Sequence, residues 1–327
     1  MKKSILIGLL VVSLLSIIVF GVCAAETTIL RFATGGISGG WYATAAGLMQ
    51  LVSEKDPTIK LDVVPGDSLG NCARTGTQDV DMAMTITTLN KSAFDGTDPF
   101  TEAYPDIRGG FTGLGINVCT LFVTKDTGLE SVDDLINQKY PIDLVIEPLG
   151  SSCPLFLSRM LEFYEVDYAT IEKWGGSVKF MGYDDQIVYM KDKHANAVFP
   201  TSYPASPIQE MIYSKVDLIL LKFSAELRKY MEEKYAFNDF VIPKDIYGIQ
   251  EEDITALGTG VCIIFNKNVP EDVVYRIIKI MCENVEEVRS LAPALANFSP
   301  SVASATNLGA PLHPGAEKYY KEVGWIK

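Results

Sequence analysis

Three short loops in this 327-residue chain combine glycine with hydroxyl side chains. The first runs Thr34-Gly35-Gly36-Ile37-Ser38-Gly39-Gly40 and leads into Trp41-Tyr42. The second is Gly66-Asp67-Ser68-Leu69-Gly70-Asn71. The third is Gly150-Ser151-Ser152-Cys153-Pro154. Each follows a β-rich run and precedes a helical pattern, so each is expected to open a helix. A helix start carries unpaired N–H groups and the positive end of the peptide dipole. Glycine lets a ligand reach that backbone, and anionic groups bind there readily. Ser or Gly at one such start is usually only a cap; three that converge would hold a carboxylate. The residues expected around that ligand are Gly36, Ser38, Gly39, Trp41, Tyr42, Ser68, Asn71, Thr87, Ser151, Ser152, Cys153 and Tyr203. Trp41, Tyr42, Tyr183 and Tyr203 offer aromatic faces of the kind small-molecule clefts use, although ordinary packing explains each equally well. Arg74 and Arg159 follow two of the loops and offer a carboxylate a bidentate fork; arginines so placed more often bridge nearby acids.

A competing chemistry is written into the first loop. Gly36-Ile37-Ser38-Gly39-Gly40 matches G-x-S-x-G, the nucleophile elbow of serine hydrolases, which needs a later acid and His. Only His194 and His313 exist. A hydrolase core would place several strands before its elbow, whereas Ser38 follows the first strand of the mature chain. The P-loop and dinucleotide glycine patterns are both missing from these loops. No C-x-x-C occurs, so no zinc or thioredoxin-like site is indicated, and no metal or cofactor is expected. Cys119 and Cys262 sit in similar strand-like contexts. They are either a disulfide between neighbouring strands or, as the favoured reading, two buried small hydrophobes.

Stepping β-rich runs alternate with helical ones around these loops. Strands are expected at Thr28–Ala33, Ile59–Val64, Asp81–Ile86, Asn117–Thr124, Leu144–Ile146 and Val261–Asn266, with helices from Trp41, Val132, Pro154 and Pro270. Such alternation argues for an α/β fold with largely parallel sheets. At roughly 150 residues per domain the length suggests two lobes. No linker separates them, so the chain is expected to cross more than once, at the similar strands near Cys119 and Cys262. That gives one lobe from 26–120 plus 262–327 and another from 121–261, with a ligand cleft between them. Lys2 and Lys3, the apolar stretch Ile5–Val22 and then Cys23-Ala24-Ala25 form a secretory signal pattern. Residues 1–25 are read as a signal peptide, with an uncleaved anchor or a lipid on Cys23 as alternatives; all three put the body outside the cytoplasm. Lys plus Arg number 28 against 41 Asp plus Glu, a net charge of −13, which excludes the basic footprint of a nucleic-acid binder.

The motifs resemble the TAXI-type solute receptors of tripartite ATP-independent periplasmic (TRAP) transporters. Thr34-Gly35-Gly36 through Trp41-Tyr42 is similar to that family's opening segment, and Ser68 to Asn71 with Asp81 to its second. Gly150-Ser151 with Arg159, Leu161-Glu162 and Tyr168 is similar to its middle segment. Val274-Tyr275 and Glu283-Asn284 fit the helix after the second crossing. Pro311-Leu312-His313-Pro314-Gly315-Ala316 with Tyr319-Tyr320-Lys321-Glu322 and Gly324 resembles its C-terminal signature. The resemblance implies a two-lobed, Venus-flytrap receptor of the type II periplasmic-binding-protein fold. It would be a monomer that does no chemistry, capturing a small anionic metabolite such as glutamate or a dicarboxylate for a TRAP-type membrane permease. His313 would tie down the C-terminal segment. There are departures: Ile86 and Thr88 stand where the family often has Gln and Asp, Cys153 and Pro154 where Thr and Glu are usual, and Asn196 replaces an Asp. They remove polar groups near the expected cleft and point to a different or less polar ligand. A serine hydrolase using Ser38 and a sensory module without a permease are the alternatives.

Overall fold

The computed structural model describes residues 27–306 and 308–327; the expected signal peptide and Cys23 lie outside the described residues. In chain order the strands are β1 (Thr28–Ala33), β2 (Ile59–Val64), β3 (Met82–Ile86), β4 (Ile107–Cys119), β5 (Phe122–Thr124), β6 (Asp143–Ile146), β7 (Ser177–Phe180), β8 (Ala197–Val198), β9 (Leu218–Leu220), β10 (Asn238–Ile242) and β11 (Ile254–Asn266). The helices are α1 (Gly40–Lys55), α2 (Ser68–Gly76), α3 (Thr87–Asp95), α4 (Val132–Asn137), α5 (Ser152–Phe163), α6 (Tyr168–Lys173), α7 (Tyr183–Lys191), α8 (Ser206–Tyr213), α9 (Ala225–Tyr235), α10 (Glu271–Glu283), α11 (Val285–Leu291) and α12 (Pro314–Glu322).

Two sheets result. In the first, β2, β1 and β3 run parallel, and β11 joins antiparallel to β3. β4 lies along β11, and β10 pairs with the start of β11. In the second the order is β7-β6-β8-β5-β9, with β7, β6 and β8 parallel and β5 antiparallel to both its neighbours. Both sheets are therefore mixed rather than largely parallel. The reason is the crossings: β4 leaves the first sheet, β5 enters the second immediately after it, and each return strand meets its sheet from the opposite end.

The expected strand Asn117–Thr124 is in fact two: its first three residues end β4 in the first sheet and its last three are β5 in the second, and residues 107–116 of β4 were not expected as strand. Its glycines in Ile-Arg-Gly-Gly-Phe-Thr-Gly-Leu-Gly suggest a loop. The structure uses them for close approach, because a Cβ on Gly110 would lie 2.3 Å from the Phe265 ring. Gly113 adopts a φ of 100°, which side chains with a Cβ rarely reach. The register between β4 and β11 shifts twice along this stretch.

Helices cover the sheets through ordinary apolar stripes. α1 buries Thr44, Ala45, Leu48, Leu51 and Val52, spaced at three and four residues. α10 does the same with Val273, Val274, Ile277, Ile278 and Met281. Together with Phe32, Met84, Phe265 and Tyr320 they form one core on the first sheet. A second continuous core runs through the other lobe and the crossing strands, including Phe122, Phe156, Val198 and Leu257.

The cysteines are all free among the described residues. β4 and β11 are neighbours, yet the disulfide between Cys119 and Cys262 does not form. Cys119 sits opposite Leu257, whereas Cys262 sits opposite Thr112. Seven residues of strand at about 3.3 Å each hold the two sulfurs roughly 20 Å apart, beyond the ~7 Å Cα limit for a bridge. Both are fully buried, and burial pushes both thiols well above their ordinary range.

Candidate functional site

The parallel strands set the position of the site. β1 ends at Ala33 and gives the Thr34–Gly39 loop, and β2 ends at Val64 and gives Pro65-Gly66-Asp67. In the other lobe β6 ends at Ile146 and gives Glu147 to Ser151, β7 leads to Gly182-Tyr183, and β8 to Pro200-Thr201-Ser202. Ligands of open α/β sheets bind outside these carboxyl ends. Here the ends of both sheets face one another. They enclose a cavity of about 50 Å³ lined by Gly35, Gly36, Gly39, Gly40, Trp41, Gly66, Asp67 and Ser68 from one side. Glu147, Ser151, Ser152, Tyr183, Thr201 and Ser202 line it from the other, and Asn117 of the crossing strand β4 closes the back. A groove of about 520 Å³ adjoins it, edged by Ile37, Ser38, Pro148, Leu149, Asp184 and Asp185.

The lobes touch. Ser38 Oγ donates to Asp184 Oδ2 at 2.9 Å, the Leu69 amide donates to the Gly150 carbonyl at 3.1 Å, and Arg159 Nη2 meets Asp98 Oδ2 at 3.1 Å. This is a closed arrangement of the two halves.

Four helices of at least nine residues, α1, α2, α5 and α7, begin at the cavity wall, and they are capped differently. α2 is capped within the protein, since Asp67 Oδ1 accepts from the Gly70 amide at 2.7 Å. α1 starts at Gly39, which has no side chain to cap it. α5 starts at Ser151, whose side chain makes no cap bond. Ser151 is 8% exposed, and its Oγ makes no well-formed hydrogen bond among the described residues, the Glu147 carboxyl being the acceptor within its reach. A buried hydroxyl without a partner is rare in folded proteins and calls for an explanation. Behind it, Ser152 Oγ lies 3.2 Å from Thr201 Oγ1, and Asn117 Nδ2 donates to both oxygens at 3.4 Å.

The acidic residues of the cavity were not read from the sequence. Glu147 and Asp67 both line it, and no Lys, Arg or His does among the described residues. Cys153 Sγ donates to Glu147 Oε2 at 2.7 Å. Burial pushes the Glu147 carboxyl above its ordinary range. Burial, and then the carboxylate beside it, push the Cys153 thiol and the Tyr183 hydroxyl well up. The available signal was an acid one residue past an expected strand, in the loop before Gly150.

Of the residues expected around the ligand, Gly36, Gly39, Trp41, Ser68, Ser151 and Ser152 line the cavity. Ser38 stands outside it, on the edge of the adjoining groove. Asn71 is behind the wall: its Nδ2 donates to the Thr34 carbonyl at 2.7 Å and the Met84 carbonyl at 2.8 Å, tying β1 to β3. Cys153 is also one layer back, fully buried against Glu147 and Thr201. Tyr42 and Thr87 lie on α1 and α3 away from the lining, and Tyr203 packs edge-on to Phe240 at 4.8 Å. Neither arginine is available, because Arg74 pairs with Asp79 and Arg159 with Asp98. Asn196 accepts from the Asp143 amide at 2.9 Å and braces the second sheet away from the cavity. The histidines do not serve Ser38. His194 packs on Tyr189, and His313 Nδ1 accepts from the Gly315 amide at 3.2 Å to cap α12. The seryl-hydrolase arrangement is thus not assembled around Ser38, whose hydroxyl is engaged by Asp184.

Residues 32–324 match the NMT1-like family. The chain belongs to the NMT1-like family. Among solved structures, it is similar to MatC from Rhodopseudomonas palustris with bound malate. That match has a TM-score of 0.53, an identity of 11%, and covers 94% of this chain and 98% of that one. It is also similar to a binding-protein component of an ABC phosphonate transporter from Pseudomonas aeruginosa, with a TM-score of 0.50 and an identity of 10%. There the coverage is 83% of this chain and 80% of that one. These likenesses establish the fold: the NMT1-like protein has the two-lobed α/β architecture of type II periplasmic-binding proteins. No helix among the described residues is long and apolar enough to cross a membrane.

Proposed function

We propose that this NMT1-like protein is an extracytoplasmic receptor that captures a small carboxylate-bearing metabolite between its lobes and passes it to a TRAP-type permease. The single observation that carries the reading is Ser151. It caps no amide of the 12-residue helix it opens at the cavity wall, its hydroxyl is buried, and that hydroxyl makes no well-formed hydrogen bond among the described residues. A carboxylate in the cavity would accept from Ser151 Oγ and from the free amides that begin α1 and α5. The loops come from both lobes, so the bonds form together only in the closed arrangement, and closure is favoured by as much as the ligand prefers that state. The permease type is supported by the TAXI-like motifs, of which the C-terminal one closes the first lobe through α12. Lobes 26–120 plus 262–327 and 121–261, hinged on β4 and β11, are the moving bodies of this proposal.

Ser151→Ala tests it in two measurements. A hydroxyl that serves only as a cap would cost about 0.5–2 kcal/mol of stability when removed. Ser151 makes no such bond, so the unliganded variant should unfold within about 0.5 kcal/mol of the parent. Its affinity for the best carboxylate found in a calorimetric screen should fall about tenfold, the value of one hydrogen bond to a charged group. Lost stability with unchanged affinity would defeat the reading.

A further inference from the structure

A second hollow, of about 760 Å³, lies between the lobes and shares no lining residue with the cavity. α3 and the loop after it form one side, and α5 with the end of α9 forms the other. Arg159 of α5 lines it and is only 7% exposed. Its guanidinium lies over the Tyr235 ring, 4.3 Å from the centroid, and the Tyr235 hydroxyl is held in turn by Glu162. A guanidinium carries five N–H donors in a fork that fits two oxygens of one anion. Among the described residues that fork makes one hydrogen bond, from Nη2 to Asp98 Oδ2 at 3.1 Å, and Nε is buried without a partner. Thr88 Oγ1, from α3 on the other side of the hollow, is also buried without a partner.

Asp98 is a loose occupant of this fork. Its side chain is 84% exposed and reaches Arg159 with a single oxygen. Ion pairs with so exposed a partner are weak, whereas a buried guanidinium with unmet donors is costly. The flanking lysines are balanced in place, Lys91 by Asp95 and Lys234 by Glu162. With Asp98 turned into solvent, the lining keeps three cationic side chains (Lys91, Arg159, Lys234) and two acidic ones (Asp95, Glu162), an excess of one positive charge.

We propose that this hollow is a second binding site, for a small oxyanion: a carboxylate or phosphate group takes the Arg159 fork and the Thr88 hydroxyl in the place that Asp98 fills in the structure. Thr88 and Arg159 stand on opposite lobes, so the anion fastens them together as Asp98 does. The site does not depend on what the cavity binds.

The test is isothermal titration of the purified chain with sodium phosphate and with sodium acetate, against sodium chloride at matched ionic strength. Asp98→Ala removes the internal competitor and leaves the fork, so it should bind the better of the two anions about fivefold more tightly than the parent. Arg159→Gln should weaken that anion at least ~10-fold. Should Arg159→Gln fail to fold, Arg159→Lys keeps the charge without the fork and should still weaken it about threefold or more. Tighter phosphate assigns the site to a phosphoryl group and tighter acetate to a carboxylate; either supports it. An unchanged affinity in Asp98→Ala, no binding of either anion, or an equal response to chloride overturns it. If Ser151→Ala loses the anion while Arg159→Gln keeps it, the anion sits in the cavity, which overturns the second site and leaves the receptor reading standing.

Discussion

Gly66→Ala is the sharpest test of how the wall of the cavity is held. The new methyl would lie 2.1 Å from Asn71 Oδ1 and 3.2 Å from the Thr34 carbonyl oxygen. Carbon cannot sit that close to oxygen, so the Asn71 amide must turn. That amide is 0% exposed, and its Nδ2 supplies the Thr34 carbonyl at 2.7 Å and the Met84 carbonyl at 2.8 Å. Turning it leaves two buried carbonyls without that donor, at about 1–3 kcal/mol each. The expected loss is therefore roughly 2–6 kcal/mol, a large part of the ~5–15 kcal/mol that holds an ordinary protein folded. Urea unfolding monitored by tryptophan fluorescence would measure it. Gly36→Ala is the control, because a Cβ there meets nothing within 4 Å; its stability should stay within about 0.5 kcal/mol. In an Asn71→Ala background the Gly66 methyl has room, so the second substitution should cost at least ~1 kcal/mol less than it does alone. A loss below ~1 kcal/mol for Gly66→Ala, or strictly additive costs in the double variant, would refute the clamp.

Two further outcomes follow from buried groups. His313 is 1% exposed, and burial lowers its pKa to about 4 from 6.5. The unfolded chain therefore takes up a proton below pH 6.5 that the folded chain refuses until about pH 4. The stabilisation is whole above the upper value and declines across that window by about 3 kcal/mol. His313→Asn keeps an acceptor at the start of α12 and does not titrate, so melting curves from pH 7 to 4 should show a shallower decline than the parent; parallel curves would contradict this. For the thiols, intact mass after iodoacetamide treatment in denaturant should show Cys72, Cys119, Cys153, Cys262 and Cys282 all modified without a reductant. In the native protein only Cys282, which is incompletely buried, should label at all, and slowly, since burial pushes its thiol up to about 12.

Local chemistry was readable where a short segment decides its own structure. The strands Thr28–Ala33 and Ile59–Val64 and the helix Val132–Asn137 occupy the residues that their patterns indicate, because alternation or a capping box at Ser131 acts within a few residues. β4 was not readable. Its glycines are explained by Phe265, more than 150 residues away, which occupies the space a Cβ on Gly110 would need. The pairing of Cys119 and Cys262 failed for a related reason. Two strand contexts can look alike and be neighbours, but register is set by the whole length of β4 against β11 and by its two shifts. Asn71 and Cys153 were placed at the ligand because their loops are there. Each points backward instead, Asn71 into the backbone of β1 and β3 and Cys153 onto Glu147, and a side chain's direction at a helix start depends on partners from other elements.

The cavity's electrostatics were the least legible feature, and the reason is physical. A search for a carboxylate site looks for cationic side chains, and it found Arg74 and Arg159. Both are consumed by Asp79 and Asp98. The positive potential comes from the backbone at the starts of α1 and α5, and amides carry no mark in the sequence beyond the Gly and Ser that expose them. The negative potential comes from Asp67 and Glu147, which are two among 41 acidic residues and have no local pattern to set them apart. Each arrives from a different lobe, one after β2 and one after β6. Only closure brings them into a single space, beside Ser151 and the helix starts of both lobes. The electrostatic character of the cavity is therefore a property of the closed arrangement: an opened form, with the lobes parted, would separate the two acids and the helix starts of the two lobes in the same movement.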